Sequence, residues 1–183
     1  MRLFIAIEVS DDVRRELVRA QERLKATGAD IKPVEPENIH LTLKFLGEVS
    51  EERIGDISAA IDRSASGRGI FPAGVRGIGV FPDLRHVRVI WAGVGTGSER
   101  IVEIQRSLDA ELQALGFERE RDFVPHITLA RVRSPRGKER LAAEVRSMSG
   151  MDFGSTEVRS VVLKQSTLTP RGPIYTTVAE TML

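Results

Sequence analysis

Cysteine is absent from this chain of 183 residues. That excludes disulfides, thiolate nucleophiles and cysteine-ligated metals, and favours a cytoplasmic setting. Aromatic residues are scarce: one Trp, one Tyr and seven Phe, a small stock for a protein that would hold bases by stacking alone. No apolar run approaches the length of a bilayer span, so no membrane partner is expected. The opening Leu3-Phe4-Ile5-Ala6-Ile7 gives way to Glu8. It is too short for the apolar segment of a signal peptide and reads as a buried strand. An excess of one charge sign is also missing, since 27 Lys and Arg against 26 Asp and Glu leave +1. So weak a field excludes a protein that coats polyanions with its whole surface, while a local basic patch stays open. The 41% apolar and 29% charged residues describe a soluble chain that can build a core in one domain or two small lobes.

Histidine is scarce too, and its placement is informative. Of three, His40 and His126 stand in one frame, His40-Leu41-Thr42-Leu43 and His126-Ile127-Thr128-Leu129. Apolar residues alternate around each, as in a strand with one buried face. Period-two geometry then puts His40 with Thr42, and His126 with Thr128, on the opposite face. His86 lacks the frame and is expected in solvent. None of the histidines has the His-x-x-x-His or carboxylate spacing of a zinc site, so no metal is expected.

Along the chain, Leu3–Val9 predicts a strand. A helix follows, capped by Ser10 and striped by Val13, Leu17, Ala20 and Leu24, with Gly28 as its stop. Ile31–Val34 predicts a short extended piece and Ile39–Leu46 the first motif strand. Ser50 should cap a helix carrying Ile54, Ile57 and Ile61. Val75–Phe81 and Val87–Val94 predict strands. Ser98 should cap a helix carrying Ile101, Ile104, Leu108, Leu112 and Leu115. Phe123–Val132 predicts the second motif strand, 138–148 a short helix, and Val158–Lys164 and Tyr175–Ala179 late strands. The order strand, helix, motif strand occurs twice. The histidines are 86 residues apart, and the same offset lays Leu3–Ala6 over Val89–Ala92. Two similar lobes facing one cleft would explain why the motif is doubled.

The doubled frame suits phosphoryl chemistry. Opening a cyclic phosphodiester with water needs a base for the water, an acid for the departing oxygen, and donors for the non-bridging oxygens. Two imidazoles can be base and acid near neutral pH without a metal, and two threonine hydroxyls can donate.

On these residues the chain resembles the 2H phosphoesterase superfamily, specifically the RNA 2′,3′-cyclic phosphodiesterases historically called 2′-5′ RNA ligases. The likeness runs from Arg2-Leu3-Phe4-Ile5-Ala6-Ile7 through Glu37–Gly47 and Phe123–Arg131 to Ser166-x-Leu168-x-Pro170 and Gly172-x-x-Tyr175. It implies an α+β fold: one bilobal domain over 1–183, with two pseudo-symmetric lobes, each an antiparallel sheet with flanking helices, around a central cleft. It also implies hydrolysis of an RNA 2′,3′-cyclic phosphate to a 2′-phosphate, without cofactor. His40 would be the general acid for the 3′ oxygen, His126 the base for water, and Thr42 and Thr128 the phosphate donors. RNA ends or nucleoside 2′,3′-cyclic phosphates would be the partners of a monomer. Phe45 and Arg131, each five residues past its histidine, would contact the substrate. Plain alternation puts both on the wrong face, so they reach the cleft only if each strand bulges, twists or ends first.

Other features have plainer readings. Gly74, Gly77 and Gly79 form no dinucleotide fingerprint and mark bulges or close backbone approach. The basic run Arg131, Arg133, Arg136, Lys138 and Arg140 is either a solvated face or a track for phosphates. Two functions compete with hydrolysis: joining ends through a 2′-5′ linkage by the reverse reaction, and binding RNA or a nucleotide without turnover. The paired titratable groups disfavour the last.

Overall fold

Four helices and nine strands account for most of residues 1–183, all of which are described by the computed structural model. The first strand, β1 (Arg2–Glu8), leads into α1 (Asp11–Lys25). Ser10 caps that helix as expected: its Oγ accepts from the Val13 amide at 3.3 Å, and Asp11 and Asp12 sit at the positive end of the helix dipole. Gly28, at φ +78°, turns the chain out in a conformation that a β-carbon would strain. There follow β2 (Ile31–Pro33), a 3₁₀ turn at Pro36–Asn38, β3 (His40–Glu48) and α2 (Ile54–Ala65). Next come β4 (Phe71–Phe81), β5 (Val89–Val94), α3 (Ser98–Ala114), β6 (His126–Val132) and α4 (Lys138–Ser147). Three strands close the chain, β7 (Asp152–Val158), β8 (Ser160–Thr169) and β9 (Gly172–Met182).

The strands pair in the order β7-β4-β5-β6-β3-β1-β8-β9, with β2 also on β6, and every pairing is antiparallel. The order falls into two four-stranded ladders that meet at one bridge, Leu41 with Ile127. Beyond it β3 leaves β6 and β2 takes its place along Ala130–Val132. The junction therefore opens into a cleft. The helices cover the opposite face: α1 packs on β2, β6 and β7, and α2 on β8 and β9. One continuous core of 39 buried residues runs behind both ladders, so they are held as one body. Each large aliphatic side chain sealed there, such as Leu17, Ile57 or Ile104, contributes about 1.5–3 kcal/mol.

Several local expectations change. Ser50 makes no side-chain cap, because a 3₁₀ turn at Glu51–Arg53 precedes α2. Ser98 is the first helical residue, and the cap position belongs to Gly97 at φ +83°, against the Pro72 carbonyl. The second motif strand begins at His126, since Phe123–Pro125 stays irregular. The late strands are longer than their apolar runs: β8 and β9 form a hairpin paired from Ser160↔Met182 to Thr169↔Gly172. β7 is a separate edge strand.

Candidate active site

The single bridge between the ladders also places the histidine frames. Leu41 and Ile127 turn into the core, so their neighbours turn to the concave face. Continuing that antiparallel register by one residue sets His40 across from Thr128 and Thr42 across from His126. Each imidazole thus lies beside its own threonine along the strand and faces the other motif's threonine across it. All four line one cleft of about 380 Å³.

Both rings are oriented in the same way. His40 Nδ1–H donates to the Asn38 carbonyl at 2.6 Å, and His126 Nδ1–H donates to the Val124 carbonyl at 2.8 Å. A carbonyl can only accept, so Nδ1 carries the proton and Nε2 is the working nitrogen. In neutral His40 the Thr42 hydroxyl donates to Nε2 at 2.8 Å. Asn38 is buried, its side chain donating to the Pro173 carbonyl at 2.9 Å. That bond ties the His40 orienter to the β8–β9 hairpin, whose tip brings Arg171 to the cleft.

Aromatic rings wall each imidazole. Phe4 stacks on His40 at 4.9 Å and Tyr175 meets it edge-on at 5.3 Å. On the other side Phe81 and Trp91 approach His126 at 5.3 and 6.4 Å. Trp91 lies flat over Gly79, where any β-carbon would collide with the indole. Burial holds the His40 pKa below the ordinary histidine range. The Asn38 carbonyl and Glu8 oppose that shift, while Lys164 and Arg14 reinforce it. Burial raises the Tyr175 phenol, against the pull of Arg131 and Arg2.

Phe45 and Arg131 do face the cleft, and a bulge explains each. The pairing of β1 with β3 runs Glu8↔His40, Ala6↔Thr42, then Ile5↔Lys44 and Phe4↔Phe45. Leu43 is the extra residue. It reverses the phase, and Phe45 emerges on the histidine face, 72% exposed. The pairing of β5 with β6 does the same at Leu129: Gly93↔His126, Trp91↔Thr128, then Ile90↔Ala130 and Val89↔Arg131. The two bulges are themselves 86 residues apart, like the histidines. The strands beside them are not: Phe4, Ala6 and Glu8 match Val89, Trp91 and Gly93 at an offset of 85. The gapless offset of 86 was therefore one residue out for the first strand of each half.

Each bulge is served by a buried polar side chain that the sequence did not single out. Gln21 of α1 donates to the Leu129 and Val34 carbonyls, both at 2.8 Å. Lys44, in the β3 bulge, pairs with Asp109 of α3 at 2.7 Å, at 8% and 2% exposure. Asp109 also accepts from the Glu120 amide at 2.9 Å, which fixes the loop leading to Phe123 and His126. One signal was available: Gln21 is a polar residue inside the apolar stripe of α1, and Asp109, with Gln105, inside that of α3. Of the basic run only Arg131 lines the cleft, and Arg136 instead lies 4.0 Å from Asp30. His86 is exposed, as expected.

Sequence and structure comparisons show the family and the fold. The model of the LigT-like phosphoesterase family matches residues 7–91 and 94–175, one stretch holding His40 and the other His126. An RNA 2′,3′-cyclic phosphodiesterase of Methanothermobacter thermautotrophicus is 43% identical over 96% of this chain and 95% of its own. That of Methanocaldococcus jannaschii is 41% identical over 98% and 99%. Among solved structures, TT0787 of Thermus thermophilus superposes with a TM-score of 0.83 at 34% identity, covering 100% of this chain and 98% of its own. Escherichia coli LigT complexed with 3′-AMP superposes at 0.78 and 28% identity, covering 100% and 97%.

Proposed function

Because this chain belongs to the LigT-like phosphoesterase family, we propose that it hydrolyses the 2′,3′-cyclic phosphate at an RNA end to a 2′-phosphate, without a metal. The observation that carries this reading is the crossed register at Leu41–Ile127, which brings two imidazoles and two hydroxyls to one cleft. The curated relatives named above are RNA 2′,3′-cyclic phosphodiesterases, and that substrate suits such a site.

In the proposed reaction His126 Nε2 takes a proton from water as the water oxygen bonds to phosphorus. The P–O3′ bond breaks, and His40 Nε2 gives its proton to O3′. The products are a 2′-phosphate and a free 3′-hydroxyl, and solvent resets both rings. Thr42 and Thr128 donate to the non-bridging oxygens, where charge accumulates. Arg131 supplies positive charge and Phe45 a stacking face for the base. The whole chain, 1–183, is the proposed unit, since each ladder contributes one imidazole.

Burial disfavours the charged form of His40 in the free protein, and the acid role requires the proton. An anionic phosphate between the rings supplies the missing charge, since a nearby negative charge favours the protonated ring. The substrate thus helps to load its own acid.

Incubation with a nucleoside 2′,3′-cyclic phosphate in excess EDTA, followed by phosphorus NMR, tests the reading. The expected result is a 2′-phosphate, formed at the same rate with and without chelator. A 3′-phosphate would reverse the leaving-group assignment, and loss of turnover in EDTA would overturn metal independence. Tight binding with no product would leave a binding module.

A further inference from the structure

The two halves of the cleft match in bulges, ring orientation and aromatic walls, but differ beside the imidazoles. Across from His126 the neighbouring strand carries Gly93, with no side chain. At the equivalent place across from His40 it carries Glu8. Directly paired residues of an antiparallel ladder hold their β-carbons about 4.5–5.5 Å apart, so Glu8 leaves its strand beside His40 and its charge favours the protonated ring.

We propose that Glu8 is a positioning residue for the acid step: it holds the transferable proton on His40, and Lys164 and Arg14 fix its carboxylate. The proposal rests on His40 being the acid. The charged and titratable groups facing His40 are Glu8 from β1, Arg14 from α1, Lys164 from β8 and Tyr175 from β9. Glu8 is the single anion among them. One carboxylate oxygen is in contact with the Lys164 ammonium, and the other lies 3.8 Å from Arg14. Arg14 in turn donates to the Ile39 carbonyl at 3.4 Å, next to His40 in the chain.

The arrangement answers an electrostatic problem. A half-buried imidazole that must become a cation is flanked by two cations, and desolvation, Lys164 and Arg14 all oppose its protonation. Glu8 neutralises that pair and lies nearest in the ladder to the ring that takes the charge. His126 needs no such partner, because a base starts neutral, and Gly93, packed against the Arg76 carbonyl, sets no charged side chain beside it. The difference between Glu8 and Gly93 is therefore what makes two near-identical motifs unequal, one the donor and one the acceptor.

The test combines histidine NMR titration with pH-dependent kinetics on full-length protein, wild type against Glu8→Gln and Glu8→Asp. In Glu8→Gln the His40 midpoint should move to lower pH while those of His126 and His86 stay in place, which also shows that the fold is intact. At pH 8 its kcat/KM should fall, because a smaller fraction of His40 carries the proton; a base would lose nothing there. Glu8→Asp keeps the charge and should restore much of both. An unmoved His40 midpoint in Glu8→Gln, with turnover intact, overturns the role of Glu8 alone. A lowered midpoint with unchanged kcat/KM at pH 8 overturns instead the assignment of His40 as the acid.

Discussion

Replacing His40 or His126 by alanine should each lower kcat for cyclic-phosphate hydrolysis by about 10²- to 10⁴-fold, the usual contribution of a positioned acid or base. The double replacement should cost less than the product of the two, because the groups act on one displacement and either is of little use without the other. The substrate can separate the roles. A 2′,3′-cyclic phosphate with sulfur in place of the 3′ oxygen expels a thiolate, which needs little protonation. It should recover much of the loss in His40→Ala and almost none in His126→Ala. Initial-rate assays on the four proteins with both substrates decide this. Turnover near wild type in either single variant would remove that histidine from the mechanism, and equal recovery in both would dissolve the division of labour.

The largest effect on stability should come from Asp109→Ala. The change strands the Lys44 ammonium in a site where it is 8% exposed and frees the Glu120 amide. Breaking one side of a buried pair costs about 3–5 kcal/mol, read from urea unfolding, whereas replacing both partners by apolar groups is often close to neutral. Lys44→Met combined with Asp109→Leu should therefore recover most of the loss. A cost below about 1 kcal/mol for Asp109→Ala, the range of an exposed pair, would mean that the bulge in β3 does not depend on this contact. The link to function is local. Lys44 adjoins the extra residue that turns Phe45 into the cleft, and Asp109 anchors the loop before His126.

The doubled histidine–threonine frame was legible because it is short and obeys plain alternation. Between His40 and Thr42, and between His126 and Thr128, no bulge intervenes, so a period of two places both pairs correctly. Alternation fails two residues later, since a bulge is a count of backbone pairings and not a residue type. Its trace was nevertheless in the apolar spacing. Leu41, Leu43 and Leu46 step by two and then three, and Ile127, Leu129 and Val132 repeat the same steps, which marks the change of phase in both halves. The supports could not be found from periodicity. Gln21 meets Leu129 from 108 residues away and Lys44 meets Asp109 from 65, and such pairings depend on how helices cover the sheet. Glu8 read only as the polar end of a strand until its register against His40 was known.

Histidine NMR with inorganic phosphate bears most directly on the convergence of two ring nitrogens on one phosphorus. The chain supplies its own control, because His86 is exposed and outside the cleft. Two-bond proton–nitrogen spectra should show Nε2 of His40 and His126 moving along one common saturation curve while His86 stays still. Movement of only one of the pair, or saturation of the two at different phosphate concentrations, would show that the imidazoles do not share an anion.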